Sequence, residues 1–117
     1  MYRKLAATEL AHFLGTLSHP LRVRIIQELK GQELDVSTIQ EILQERQSKI
    51  SQHLAILKSQ KILTERRDGR RIFYKLKNED LPHWLIDGLD LIKSTIEENQ
   101  KISKAILSAK KTWKKKI

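Results

Sequence analysis

Apolar residues recur at spacings of three and four along most of this chain, which places them on one face of an α-helix. Polar and charged residues fill the positions between them, so each apolar stripe has a solvated side. The stripes predict five helices, over about residues 4–17, 20–29, 38–43, 47–59 and 81–109. The pattern therefore predicts a mainly α fold in which several short helices share one core.

Two of these helices begin at recognisable capping signals. Pro20 suits the first turn of a helix, and Ser18 or His19 can accept a backbone N–H just before it. Ser37 and Gln40 have the spacing of a capping box, in which a serine accepts one backbone N–H and a glutamine reaches back to another. We therefore expect the second helix to begin near Pro20 and the third helix to begin after Ser37.

The period changes between residues 62 and 77, where strand-forming residues replace the helical stripe. The runs 62–67 and 71–76 flank Asp68 and Gly69, and an Asp-Gly pair between such runs is a strong signal for a β-hairpin. Arginines crowd around the predicted tip, at positions 66, 67, 70 and 71. The sequence thus predicts four helices, a basic hairpin over about 62–77 and a last long helix.

The chain has 117 residues, no cysteine and a formal net charge of +9. This length suits a single domain, which we place at 1–117. Without cysteine there is no disulfide and no thiolate metal site. No apolar run approaches the roughly 20 residues of a membrane span, and Glu9 and His12 interrupt any signal-peptide core. The sequence therefore predicts a cytoplasmic protein.

The positive charge is concentrated in one part of the chain. Residues 46–77 carry 10 basic and 2 acidic side chains, a net charge of +8, whereas residues 1–45 have a net charge of −1. A merely soluble basic surface would spread this excess, and a concentrated block is typical of a surface that binds phosphate. The charge therefore favours a nucleic-acid partner.

A short helix followed, after a tight turn, by a helix with a polar face is the helix-turn-helix pattern. In that motif the second helix enters the major groove of double-stranded DNA, and its N-terminal residues contact base edges. Gln47 and Gln52 suit bidentate bonds to adenine, Lys49 suits guanine, and Ser48 and Ser51 suit bases or phosphates. The basic hairpin would then be the wing, whose arginines bind phosphate or a narrow minor groove.

Three segments resemble the ArsR/SmtB family of bacterial repressors: residues 17–26 (LSHPLRVRII), 47–57 (QSKISQHLAIL) and 67–74 (RDGRRIFY). The resemblance implies a winged helix-turn-helix homodimer that dimerises through helices at about 4–17 and 81–109. It also implies that the protein blocks transcription from an inverted-repeat operator until a signal releases the DNA. The DNA-reading residues that it implies are Gln47, Ser48, Lys49, Ser51 and Gln52, and the wing contacts are Arg67, Arg70 and Arg71. His53, in the same motif, is expected to pack or to touch phosphate.

The chain departs from that family where its members sense metals. Residues 34–38 (LDVST) lack the paired cysteines that many members carry there, which excludes thiolate sensing of arsenic, cadmium or lead. His83 and Asp87 lie one turn apart on the last helix, and only Glu97 and Glu98 are available to complete a site of about four ligands. We therefore predict no metal and no cofactor.

A second departure concerns the turn before the polar-faced helix. Gln44 and Arg46 stand where the family usually has a glycine and an N-cap serine. This substitution leaves the local geometry of the turn open, while the fold assignment does not depend on it.

Several alternatives remain at this point. The chain could be a winged-helix protein-interaction module or a nonspecific nucleic-acid-binding protein, although sequence-blind binding needs charge more than glutamines and serines. No catalytic motif occurs, so we predict no enzyme. The last helix could fold back over its own domain instead of pairing with a second copy. The lysine-rich end, 110–116, is expected to fray, and no residue identifies the inducing signal.

Overall fold

The computed structural model describes residues 1–96 and 99–115, without the side chains of Ser94 and Lys115. Within this part of the chain it contains six helices and three strands, in the order α1 (Tyr2–Leu17), α2 (Pro20–Glu28), β1 (Leu34–Asp35), α3 (Val36–Leu43), α4 (Gln47–Ser59), β2 (Leu63–Asp68), β3 (Arg71–Leu76), α5 (Leu81–Ile96) and α6 (Gln100–Lys115). The predicted mainly α fold with one β-hairpin is confirmed. Helix α4 spans the predicted residues 47–59, and the hairpin β2–β3 lies within the predicted 62–77.

The core forms where α2, α3 and α4 pack against the hairpin and the beginning of α5. Its most buried members are aliphatic residues at the helical and strand spacings of the sequence: Leu21, Ile25, Ile26, Leu29, Ile39, Leu43, Ile50, Leu54, Leu57, Leu63 and Leu76. The buried amide of Gln27 donates from Nε2 to the carbonyl of Pro82 (2.9 Å), which ties α2 to α5. The core holds α4 by one side and leaves its other side in solvent.

Strand β1 adds a third member to the predicted hairpin. The sheet is antiparallel with the order β1-β3-β2, and Leu34 pairs with Tyr74 while Asp35 pairs with Phe73. From the other side, Arg66 of β2 opposes the same Phe73. A strand of two residues is too short to show a period, so the sequence pattern did not predict it.

The two capping predictions have different outcomes. Of the two candidate caps, Ser18 and His19, it is His19 that caps α2, because its Nδ1 accepts the backbone N–H of Leu21 (3.0 Å). Helix α3 instead begins at Val36, with Asp35 in the extended N-cap position. The predicted capping box at Ser37 is therefore wrong: pairing of β1 with β3 holds residue 35 extended, and the helix starts directly after it.

The predicted long helix over 81–109 is two helices. Helix α5 ends at Ile96, and α6 begins at Gln100. The Oδ1 atom of Asn99 accepts the backbone N–H of Ile102 (3.2 Å), which caps the first turn of α6. The prediction of one continuous helix is therefore wrong. The apolar spacing of three and four residues changes to six between Ile96 and Ile102, and this phase slip marks the place where the helix is interrupted.

Helix α6 packs back along α5. Ile106 is buried, and Lys110 forms an ion pair with Asp90 of α5. Helix α6 continues as far as Lys115, and Lys116 lies outside the described residues. The fraying expected of the lysine-rich end stays a prediction. No helix in the described ranges is long and apolar enough to cross a membrane.

Candidate nucleic-acid interface

The turn between α3 and α4 passes through a left-handed residue. Gln44 has φ 55° and ψ 45°, a conformation that helix C-termini usually give to glycine. Its Nε2 atom donates to the carbonyl of Glu41 (2.8 Å). Arg46 is the N-cap residue of α4, and its side chain makes no capping hydrogen bond. Both substitutions are thus accommodated within a helix-turn-helix, with backbone strain at the first and an uncapped helix at the second.

The first two turns of α4 present the predicted reading residues to solvent. Ile50, Leu54 and Leu57 anchor the helix in the core, which turns the opposite side outward. The predicted residues that are exposed on α4 are Gln47, Ser48, Ser51 and Gln52.

Lys49 lies beside this exposed face and is half-buried. Its Nζ is 3.6 Å from a carboxylate oxygen of Glu45, one turn earlier in the chain. A partly exposed pair at this distance is weak, so the lysine remains able to exchange Glu45 for another acceptor.

His53 is on the buried side of α4, with only 7% of its surface exposed. Its ring lies against the ring of His19, with the centroids 4.2 Å apart. Burial lowers the pKa of His53, and the nearby positive groups His19, Arg22 and Lys49 lower it further. The structure therefore places this histidine between α4 and the beginning of α2 and not on the exposed reading face.

The wing turns at Gly69, whose φ of 63° is left-handed and easily adopted by glycine. Arg67 and Arg70 flank this turn, and both side chains are exposed. Neither makes a hydrogen bond or an ion pair with a residue of the described ranges, although the charge of Arg67 helps to lower the pKa of Glu65. Both arginines can therefore meet an anionic ligand without breaking such a contact.

Arg66 is occupied within the protein. Its Nη2 is 2.6 Å from Glu33 Oε1, and its Nε is 3.2 and 3.3 Å from the two carboxylate oxygens. The guanidinium carbon also lies 4.6 Å from the centre of the Phe73 ring. The hydrogen bonds from Arg66 lower the pKa of Glu33 and the carboxylate raises the pKa of Arg66, so both groups stay charged.

Arg71 is occupied in a similar way. Its Nε donates to Asp35 Oδ2 (3.2 Å), and its guanidinium carbon lies 4.8 Å from the centre of the Phe73 ring. Asp35 is only 7% exposed and also accepts the hydroxyl of Thr38. The bond from Thr38 and then those from Arg71 lower the pKa of Asp35. One of the three predicted wing contacts, Arg71, therefore already has a carboxylate partner.

Glu33 and Asp35 are the functional candidates that sequence reasoning missed. They lie in the connection between α2 and α3, far along the chain from the arginines that they contact. The pairing of β1 with β3 brings the two segments together. The two acidic residues and the arginine-rich hairpin can both be seen in the sequence. However, the spacing of apolar residues did not predict that they would contact each other.

The candidate metal ligands do not converge in the described ranges. His83 Nε2 and Asp87 Oδ1 are 3.8 Å apart, and both side chains are exposed. Glu97 and Glu98 lie outside the described residues. Among the residues that are described, no group of three or more His, Asp or Glu side chains could hold a metal ion.

Helices α1 and α5 carry large apolar side chains that this chain leaves uncovered. The exposed fractions on α1 are 81% for Tyr2, 58% for Leu5, 53% for Leu10 and 46% for Leu14, and on α5 they are 46% for Trp84, 81% for Leu91 and 49% for Ile92. Scattered apolar residues are normal on a surface, whereas larger exposed apolar patches are typical of interaction sites.

A family model described as "Bacterial regulatory protein, arsR family" matches residues 19–65, from the N-cap of α2 into β2. The biofilm growth-associated repressor of Agrobacterium fabrum is 39% identical over 93 residues, which cover 80% of this chain and 79% of that protein. The transcriptional repressor PagR of Bacillus anthracis is 41% identical over 69 residues, covering 58% of this chain and 69% of that protein.

Solved structures agree with the sequence comparisons. The crystal structure of PagR of Bacillus anthracis superposes with a TM-score of 0.61 at 35% identity, over 70% of this chain and 98% of that one. The crystal structure of the transcriptional repressor BigR from Xylella fastidiosa superposes with a TM-score of 0.65 at 27% identity, over 80% of this chain and 91% of that one. The winged helix-turn-helix fold predicted from the sequence is confirmed.

Proposed function

Because this chain belongs to the arsR family of bacterial regulatory proteins, we propose that it is a transcriptional repressor that binds an inverted-repeat operator as a homodimer. The observation that carries the proposal is the exposed polar face of α4 beside a cationic wing. Glutamines and serines distinguish base edges by their donors and acceptors, while free arginines supply attraction to phosphate. This combination fits a sequence-specific DNA-binding protein better than a sequence-blind one.

The proposal divides the interface into two parts. Gln47, Ser48, Ser51 and Gln52 read base edges in the major groove, and Lys49 joins them by releasing Glu45. Arg67 and Arg70 at the wing tip bind the phosphate backbone or enter the minor groove. Base contacts then set the sequence preference, and phosphate contacts set most of the salt-dependent affinity.

A homodimer accounts for the uncovered apolar side chains of α1 and α5. A second copy that brings its own α1 and α5 to the same face would bury them symmetrically and would hold two α4 helices for two half-sites. The Phe13 and Trp84 rings, whose centroids are 5.8 Å apart, already join α1 to α5 within one chain. This contact provides a common surface for the partner.

The location and regulation follow from the same proposal. A bacterial regulator that binds double-stranded DNA works in the cytoplasm, where the DNA is. We assign it neither a cofactor nor a catalytic role, and we assign no inducing signal.

Mapping of bound sites across the genome tests this function. Discrete sites with two-fold symmetry, upstream of genes whose transcription rises when the protein is deleted, would support it. Uniform coverage of the DNA would indicate a nonspecific binder, and absence of protected DNA would indicate a protein-interaction module. Either of the last two results would overturn the proposal.

A further inference from the structure

We propose that Glu33 and Asp35 are specificity-determining residues of the DNA interface, because they pair with Arg66 and Arg71 of the wing and withhold these two cations from phosphate. The inference rests on the proposed function and deepens it. It divides the four arginines of the wing into two that bind DNA, Arg67 and Arg70, and two that are retained by the protein, Arg66 and Arg71.

The contact between Arg66 and Glu33 carries the first step. Three short distances, of 2.6, 3.2 and 3.3 Å, join the guanidinium to both carboxylate oxygens, which is the bidentate arrangement of the stronger arginine–carboxylate pairs. The ring of Phe73 covers part of the guanidinium. A phosphate would have to displace a carboxylate that already satisfies two donors of this arginine.

The contact between Arg71 and Asp35 carries the second step. Asp35 is buried, and its carboxylate is held in position by the Thr38 hydroxyl and the Arg71 N–H that it accepts. If Arg71 left for a phosphate, it would leave behind a buried negative charge with one partner fewer, which is costly. Arg71 is therefore assigned here to the protein, although the sequence predicted it as a DNA contact.

The consequence for DNA binding is a difference between specific and random sites. Binding to random DNA is almost entirely electrostatic, and its strength follows the number of cations that reach phosphates. On random DNA no position of the protein along the duplex is preferred, so an additional flexible arginine can contact a phosphate wherever the protein binds. On an operator the base contacts fix the register, so the same arginine gains less. Retaining Arg66 and Arg71 therefore raises the ratio of operator affinity to random-DNA affinity.

The test uses the variant Glu33→Gln, because Glu33 is partly exposed and glutamine has nearly the same shape as glutamate. The measurement is the affinity of the purified protein for a short duplex of random sequence, by fluorescence anisotropy over a series of salt concentrations. We expect tighter binding and a slope of log K against log [salt] that is steeper by about 0.9 for each released arginine, or about two for a dimer. The control is Glu41→Gln. Glu41 is exposed on α3 and pairs with no arginine of the described residues, so removal of its charge should change the slope much less.

Variants of the arginines make the outcome decisive. Arg66→Gln should leave the wild-type slope unchanged, and the double variant Glu33→Gln with Arg66→Gln should return to the wild-type slope. Arg71→Gln should also leave the slope unchanged, whereas Arg70→Gln should make it shallower. The proposal is overturned if Glu33→Gln leaves the slope unchanged or makes it shallower, or if Arg66→Gln alone makes it shallower. Thermal unfolding of each variant checks that the wing remains folded.

This result is separable from the proposed function. A duplex selected in vitro by the wild-type protein serves as the operator, and preference of the wild-type protein for it over random DNA tests the function itself. If that preference is present and Glu33→Gln does not reduce it, the inference fails and the function stands. If the wild-type protein shows no preference for any selected sequence, the proposed function fails.

Discussion

The imidazole rings of His19 and His53 lie 4.2 Å apart, with their planes inclined at 38°. The first caps α2 with its Nδ1, and the second is buried on the recognition helix α4. This contact joins the beginning of the domain's first core helix to the element that we propose to enter the major groove. A positive charge on the buried His53 ring would therefore be unfavourable in this packing.

Acidification below pH 6.5 should destabilise the folded protein through His53. Burial first, and then His19, Arg22 and Lys49, lower its pKa in the folded state, so the unfolded chain binds the proton more readily. Stability is therefore fully present above the unfolded-state pKa of about 6.5 and is lost as the pH falls toward the lower folded-state pKa. The free energy of unfolding, measured by urea denaturation at a series of pH values, should fall by at most about 1.4 kcal/mol per pH unit for one proton.

In His53→Gln, the free energy of unfolding should depend less on pH between pH 6.5 and the more acidic range in which the carboxylates titrate. The lowered pKa values of Glu33 and Asp35 act in a more acidic window, because their unfolded-state values of 4.5 and 3.8 are themselves lower. His83→Gln, on the exposed surface of α5, is the matched control. An unchanged pH dependence in His53→Gln would show that the buried histidine does not control it.

Gln44→Gly should stabilise the helix-turn-helix. A left-handed residue with a Cβ costs roughly 1–2 kcal/mol, and glycine avoids this cost while losing somewhat more backbone entropy on folding. The lost hydrogen bond from Gln44 to the carbonyl of Glu41 reduces the gain further. The net expectation is a rise of up to about 1 kcal/mol in the free energy of unfolding.

The control for this variant is Glu41→Gly, three residues earlier in the same helix. Glu41 is exposed within α3, where glycine should cost roughly 1 kcal/mol. Chemical denaturation of both variants checks the pair. If Gln44→Gly were as destabilising as Glu41→Gly, the left-handed conformation of the turn would not be the source of strain.

Local signals explain which parts of the fold could be predicted from the sequence. The stripe of Ile50, Leu54 and Leu57 defines α4, and the pair Asp68-Gly69 defines the wing, because each signal is contained within a few neighbouring residues. The exposed positions of the glutamines and serines on α4 follow directly from that stripe. The exposed polar face of α4 could therefore be predicted without any knowledge of the rest of the molecule.

The errors have the opposite origin. Strand β1 and the early start of α3 depend on one contact between segments that are far apart in the chain, the pairing of Asp35 with Phe73, which also brings Arg71 to Asp35. The interruption between α5 and α6 was visible as a phase slip, but the cap at Asn99 that begins α6 was not recognised. Periodicity describes which face is apolar and does not tell how far a helix continues.

A charge in the apolar stripe of α1 should prevent dimerisation. Leu10 is 53% exposed in the single chain, and we propose that a second copy covers it. Leu10→Glu would place a carboxylate in that interface, where burial of an unpaired charge is unfavourable. The variant should sediment as a monomer in analytical ultracentrifugation, and its affinity for the operator should fall.

Thr8→Glu tests whether any negative charge on α1 would have the same effect. Thr8 lies on the polar side of this helix and is exposed. This control should remain dimeric and retain its affinity for the operator. Dimers of Leu10→Glu with undiminished stability would contradict the placement of the interface on α1.

The reading helix and the wing should respond differently to alanine. Lys49→Ala removes the cation beside the exposed face of α4 and should cost about 1–3 kcal/mol on the operator, with a change in the preferred sequence. Arg70→Ala removes an unoccupied cation from the wing tip and should weaken binding to operator and scrambled duplex about equally, with a shallower salt dependence. Competition titrations with matched and scrambled duplexes separate the two effects. If both variants lost operator and scrambled binding to the same extent, Lys49 would be a phosphate contact, and base reading would rest on the glutamines and serines alone.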